Sequence, residues 1–322
     1  MKKHMGFITV ALALLGFVQI AQAEIIRGIN MDFVNIGNAG NLEDIADYGS
    51  HGAVSYNYHI AKYEVTIAQF TTAYIADSRI GNGNEDYWDT GGRSVGTDAP
   101  ASQVSWFEAA TFCNWLTSGD AYSGGAYQFD GTGSLTNVLT RAQILANGGL
   151  FYVLPTEDEW YKAAYFDASG ANGYSLYANG SDSYPVGGTN ANPQANYMGN
   201  DEGYVNEDPN WTWAVGTGGI EQNGTYDMMG NVEEWMENSL NDDVVRGGYY
   251  FDITNAVSAA GRASWTGGVE DYAIGFRVAS VPEPAVVSLL LSSGLMLLGI
   301  RRFFGSEEDN PASISAPSTD PF

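Results

Sequence analysis

The residue types that could carry chemistry are few and unevenly placed. There is one cysteine, Cys113, in 322 residues. Chemistry that needs a thiol pair is therefore closed to this chain, and so is an internal disulfide. The three histidines are His4, His51 and His59. They are too few and too poorly spaced for an iron site, and His51 and His59 read as ordinary surface or strand residues. Lys and Arg number 13 against 38 Asp and Glu, for a net charge of −25. Such a surface repels nucleic acid and anionic lipid. It suits a divalent cation, since calcium is held by carboxylates and carbonyls, though most of these acids read as solubilising. Three arginines fall late in the chain: Arg246, Arg262 and Arg277. They can be structural, tying loops to buried acids such as Glu159, Glu64 or Glu234. Alternatively, Arg262 faces a cleft and takes an acidic group, with Trp265 and Tyr272 beside it as an aromatic wall for sugar or peptide. The plain reading of Trp265 and Tyr272 is core packing.

The elements that must position these residues are short. With 40 Gly, 20 Tyr, 14 Phe and 8 Trp, the chain predicts a compact domain of many turns and few long helices, packed by aromatics. Residues 24–60 alternate apolar and polar with Gly and Asn breaks, which predicts short strands. Thr66 is a plausible N-cap after Tyr63-Glu64-Val65. Ser105 with Glu108 forms a capping box, and Phe107, Ala110, Cys113, Asn114 and Leu116 follow at helical spacing. Cys113 then reads as a small buried apolar residue. Residues 77–100 and 118–137 read as long polar loops. Phe151 to Leu154 is a buried strand, and Thr156 with Glu159 opens a second helix whose acidic first turn suits the helix dipole. From Asp167 to Gly224 no periodicity is visible. So long an irregular stretch needs a staple, and with no disulfide a metal is the obvious one.

Both ends carry targeting patterns. Lys2, Lys3 and His4 precede an apolar run from Phe7 to Ile20 and the small-residue exit Ala21-Gln22-Ala23. Residues 1–23 are read as a secretory signal cut by signal peptidase, leaving a domain over 24–280. Val281-Pro282-Glu283-Pro284 is followed by an apolar run from Ala285 to Ile300 and by Arg301 and Arg302. This 281–302 segment resembles the PEP-CTERM sorting signal. That resemblance implies an inner-membrane stay through the C-terminal helix, cutting by an exosortase, and a final place in the envelope, on the outer surface or outside the cell. Residues 303–322 extend past the arginines, where such signals usually end, and their Ser, Pro and acidic residues read as disordered.

Six motifs occur in order across residues 28–279. They are Tyr63-Glu64-Val65-Thr66, the segment Val104 to Leu116, Leu154-Pro155-Thr156-Glu157-Asp158-Glu159-Trp160, Asn223 to Trp235, Arg246-Gly247-Gly248 and Gly275-Phe276-Arg277. Together they resemble the formylglycine-generating enzyme, or sulfatase-modifying factor, family. The resemblance implies an α+β domain of C-type-lectin-like kind, rich in irregular chain and held by calcium. It implies a first calcium site at Glu234 with the carbonyls near Met229, Gly230 and Val232. The alternative for Glu234 is a buried acid paired to an arginine. A second site would use Asn196, the Tyr197 carbonyl and an acid near Glu207 or Asp208.

The family enzymes oxidise a protein cysteine with copper held by a cysteine pair between the Arg-Gly-Gly and Gly-Phe-Arg motifs. Two soft thiolates are what stabilise Cu(I). This chain has none in that interval, so no copper is expected. The expectation is a non-catalytic binding or structural module for an unknown peptide or glycan. The alternative is a formylglycine-generating oxidoreductase with a metal site built without cysteine.

Overall fold

The computed structural model describes residues 22–45, 50–81, 96–169, 173–183, 185, 195–197, 211–237 and 243–281. Residues 1–21 of the 1–23 segment, Pro282 onward with its apolar run and arginines, and Glu207 and Asp208 lie outside them.

Three short strands open the domain, as the alternation predicts: β1 (Gln22–Ile26), β2 (Ile29–Ile36) and β3 (Tyr58–Ala61). Helices α1 (Ile67–Ala76) and α2 (Trp106–Ser118) follow. Next come β4 (Tyr127–Phe129), β5 (Leu135–Val138), α3 (Arg141–Asn147), β6 (Phe151–Val153) and α4 (Glu157–Tyr165). The last third supplies β7 (Glu233–Trp235), β8 (Asp243–Arg246), β9 (Ala263–Trp265), β10 (Ile274–Gly275) and β11 (Ala279–Val281).

Each helix is started by the same device. Thr66, Ser105, Thr140 and Thr156 accept from the backbone N–H three residues on, and Gln69, Glu108, Gln143 and Glu159 reach back to the cap. Two orphan donors per helix are satisfied this way. Helix α2 ends at Gly119, in the left-handed region at φ 88°. Arg27 closes that end by donating to the carbonyls of Leu116 and Thr117 at 3.0 and 3.1 Å, a cation where the helix dipole favours one.

The strands form a five-stranded sheet in the order β1-β2-β3-β11-β6, a four-stranded sheet in the order β10-β7-β8-β9, and the β4–β5 hairpin. All pairings in the five-stranded sheet are antiparallel, whereas β10 runs parallel to β7. One core lies around α1, α2 and the five-stranded sheet, where Phe70 stacks on Phe112 and both meet Phe276 edge-on. Trp160, Tyr161, Tyr165, Met228 and Tyr58 centre a second.

Three sequence expectations need correction. Phe107 is 41 % exposed, not inward; it meets Trp106 edge to face, and Trp106 takes the inward place. Residues 118–137 are not all loop, because Tyr127 and Leu135 belong to the β4–β5 hairpin, with a bulge at Gln128/Phe129. Helix α3 went unforeseen, since its single buried residue, Ile144, leaves almost no hydrophobic stripe to see.

Candidate ligand-binding groove and the buried acids behind it

Strand β7 places two neighbouring glutamates on opposite faces. Successive side chains of a strand alternate, so Glu233 and Glu234 cannot share a surroundings. The register pairs Glu234 with Arg246 and Trp235 with Val245, and then Val245 with Ala263 and Asp243 with Trp265. Glu233, Val245, Ala263 and Trp265 therefore share one face, and Glu234 and Arg246 the other.

On the inner face Glu234 is fully buried and clamped. Arg277 Nε donates to its Oε2 at 2.6 Å and Arg277 Nη2 to its Oε1 at 2.6 Å, while Trp160 Nε1 donates to Oε2 at 2.8 Å. Of the two sequence readings of Glu234, the arginine-paired one describes this geometry. A cation here would have to share the carboxylate with Arg277. Three further acids lie around the same guanidinium. Glu64 is pushed well up by burial and by Asp227 and Glu234; it accepts from Asn231 Nδ2 at 2.8 Å and from the Val232 amide at 3.2 Å. Glu221 is pushed up by burial to about 8 and Asp227 by burial to about 6. One arginine cannot neutralise four carboxylates, so in the dry interior some are held as acids.

Asn196, expected at the second calcium site, pairs with Gly230 of the turn expected at the first. Asn231, with φ 63°, sits at the turn before β7. Its amide N–H donates to the Asn196 carbonyl at 2.9 Å, and its side-chain oxygen accepts from Asn196 Nδ2 and the Trp213 amide. Gly230 has φ 87°, and a Cβ there would lie 2.2 Å from the Asn196 carbonyl oxygen. No other residue fits that approach. Asn196 and Tyr197 thus pack directly on the Met229–Val232 turn, and Tyr197 donates its hydroxyl to the Pro185 carbonyl. Among the described residues, no three His, Cys, Asp or Glu side chains are placed to hold a metal ion. Carbonyls would have to dominate any calcium shell here.

Beside Glu233 a groove of about 310 Å³ opens between the sheet and the 248–262 segment. Its lining includes Glu233, Arg246, Asp252, Asn255 and Arg262. The segment folds back tightly, since a Cβ on Gly261 would lie 1.9 Å from the Ala256 carbonyl oxygen. Arg246 and Arg262 are both drawn to Glu157: Arg246 Nη2 lies 2.6 Å and Arg262 Nε 3.0 Å from its Oε1. Arg246 also donates from Nη1 to the carbonyls of Ala259 and Gly261. Arg262 does border a cleft, with its side chain 36 % exposed. Trp265 and Tyr272 are 40 % and 42 % exposed, so the core-packing reading of both gives way to a surface one. They do not form one continuous wall: Trp265 Nε1 donates to Glu233 Oε2 at 3.2 Å, whereas Tyr272 packs on Trp211 with Tyr250 and Phe251.

Glu233 and Asp252 were missed in the sequence. Glu233 is raised by burial and by the charge of Asp252 to about 7, and Asp252 is raised by burial. The doublet Glu233-Glu234 held the signal, because a strand must turn the two to opposite faces. A second missed group is Arg141, which donates to Glu159 and Glu237 at 2.9 Å each. The sequence singled out Glu159 as a partner for one of the late arginines instead. Cys113 is fully buried in α2, its thiol pushed well up by burial and by Glu237.

The chain matches the sulfatase-modifying factor enzyme 1-like domain over residues 32–281. It belongs to that family. Solved structures with the fold of this sulfatase-modifying-factor-like domain include variable protein 1 of Treponema denticola, at 22 % identity and TM-score 0.57, covering 82 % of this chain and 99 % of that one. CarF aligns at 24 % identity and TM-score 0.51, over 77 % of this chain and 97 % of its own. PvdO of Pseudomonas aeruginosa aligns at 16 % and 0.53, over 81 % and 98 %. No curated protein sequence matches the chain significantly. At these identities the structural matches speak for the fold, a mixed α and β architecture of the C-type-lectin-like kind. No helix among the described residues is long and apolar enough to cross a membrane.

Proposed function

We propose that this sulfatase-modifying-factor-like domain is a non-catalytic recognition module that takes a peptide or glycan in the groove between β7–β9 and the 248–262 segment. The observation that carries this is the donor set. The segment between Arg246-Gly247-Gly248 and Gly275-Phe276-Arg277 has no cysteine, and the one thiol of the chain is sealed inside α2. A two-thiolate copper site does not fit these residues, and no step is routed through one. The fold supports the reading without deciding it, because a fold hosts many functions.

The test is incubation of the purified protein with a cysteine peptide of the sulfatase type, with copper and oxygen supplied, followed by mass spectrometry. The unmodified peptide is expected. Conversion of its cysteine to formylglycine overturns the reading in favour of an oxidoreductase with a different metal site. Calcium belongs to the proposal as a structural ion on the Met229–Val232 turn beside Asn196 and Tyr197. Export through residues 1–23 by signal peptidase, and exosortase sorting through 281–302 by way of the inner membrane, are also proposed, from the sequence patterns alone. Cell fractionation of the tagged chain checks them: loss of 1–23 must keep it in the cytoplasm.

A further inference from the structure

Two carboxylates line the groove without a cation. Glu233 is only 9 % exposed and points into it from β7. Its Oε2 accepts from Trp265 Nε1, and its Oε1 takes no hydrogen bond from the described residues. Asp252 accepts from the Tyr249 amide at 3.0 Å, from the facing segment. The two arginines of the lining do not serve them: both reach the other way, to Glu157. Leaving two interacting acids half-buried and unpaired costs free energy that the nearby guanidinium groups could have offset. Beside them, Trp265 is held by its own N–H on Glu233 with much of its ring exposed. A carboxylate pair next to an open indole matches an organic cation, which gains from the ring face as well as from the charges. It suits a divalent metal poorly, since calcium wants six to eight oxygens and among the described residues no group of three His, Cys, Asp or Glu is placed to hold a metal ion.

We infer that the groove recognises a cationic side chain of a peptide, a lysine ammonium or arginine guanidinium, held between Glu233 and Asp252 and covered by Trp265. This rests on the recognition reading above and names the ligand chemistry of that same groove. Arg262 shares the lining but is held by Glu157, 3.0 Å from its Nε.

The test is titration of the full-length protein with acetylated, amidated pentapeptides that differ only at the central residue: Lys, Arg, norleucine or Glu. The Lys or Arg peptide is expected to bind at least tenfold more tightly than the norleucine one. Glu233→Gln and Asp252→Asn should each remove most of that preference, and Trp265→Leu part of it, with melting temperatures close to that of the parent. Equal binding of the Lys, Arg and norleucine peptides overturns the inference, as does retention of the preference in Glu233→Gln. A preference for the Glu peptide that Arg262→Gln removes sinks the cation inference but leaves the recognition module standing. Silence from all four peptides together with binding of a neutral oligosaccharide does the same. Oxidation of a cysteine peptide sinks the non-catalytic reading itself while the binding preference stays measurable.

Discussion

The two faces of the β7–β8–β9 sheet treat the same chemistry in opposite ways. Inside, Glu234 meets a guanidinium fork and an indole N–H, and every polar atom of the pair is answered. Outside, one residue earlier, Glu233 meets an indole N–H and another acid. The inner pair is built for the folded state, since removing either partner strands a buried charge. The outer pair contributes nothing of that kind and is tolerated. An acid kept without a cation beside a groove is what a binding surface requires, and a stable core cannot hold many of them.

Breaking the inner pair should have the largest effect. Arg277→Met leaves Glu234 uncompensated at full burial and should cost about 3–5 kcal/mol, read as a large loss of urea midpoint. A cost below about 1 kcal/mol would mean that the clamp is not the inner anchor. Next is the calcium proposal. An ion bound only to the folded domain, at a concentration a hundredfold above its Kd, adds about 2.7 kcal/mol. Chelation should therefore lower the melting temperature reversibly, and an unchanged melt removes calcium from the account.

The acids around Arg277 give a signed pH dependence. Glu221 stands at about 8 and Asp227 at about 6, both raised by burial. The native state keeps protons there that the unfolded chain releases at ordinary carboxyl values near 4. Their contribution is full below that value and is lost as pH climbs through 6 and then 8. Melting temperature should thus decline between pH 5 and 8, and Glu221→Gln should flatten the upper part of the decline. A profile that rises over this range contradicts the protonated inner acids. Smallest is the effect of Glu233→Gln on stability, within about 1 kcal/mol, whereas its effect on cationic-peptide binding should be tenfold or more. A large destabilisation would erase the contrast between the faces.

Much of the frame was legible. Three of the four capping boxes could be read in whole or in part because Ser or Thr followed three residues later by Glu or Gln is a local rule. Thr140-Gln143 obeys it too, but without a hydrophobic stripe it carried no weight. The arginines were read as tied to buried acids without any pair being named, and of the three acids offered only Glu234 takes one of them, Arg277. The partners of Arg246 and Arg262 lie on α4, about 90 and 105 residues away along the chain, and no local pattern encodes such a meeting. For Trp265 and Tyr272 core packing was the plainer of the two readings because aromatic residues are usually inside. Trp265 ends β9, the edge strand of its sheet, and Tyr272 packs on Trp211.

The place of β11 has a consequence for how the molecule comes into being. The last strand of the domain lies between β3 and β6, bonded to both. Until it emerges, the earlier strands have a gap where their neighbour belongs. A nascent chain halted anywhere before residue 279 cannot complete its main sheet, and the search for so distant a partner is slow. Such an order of assembly leaves the main sheet split until residues 279–281 can pair with β3 on one side and β6 on the other.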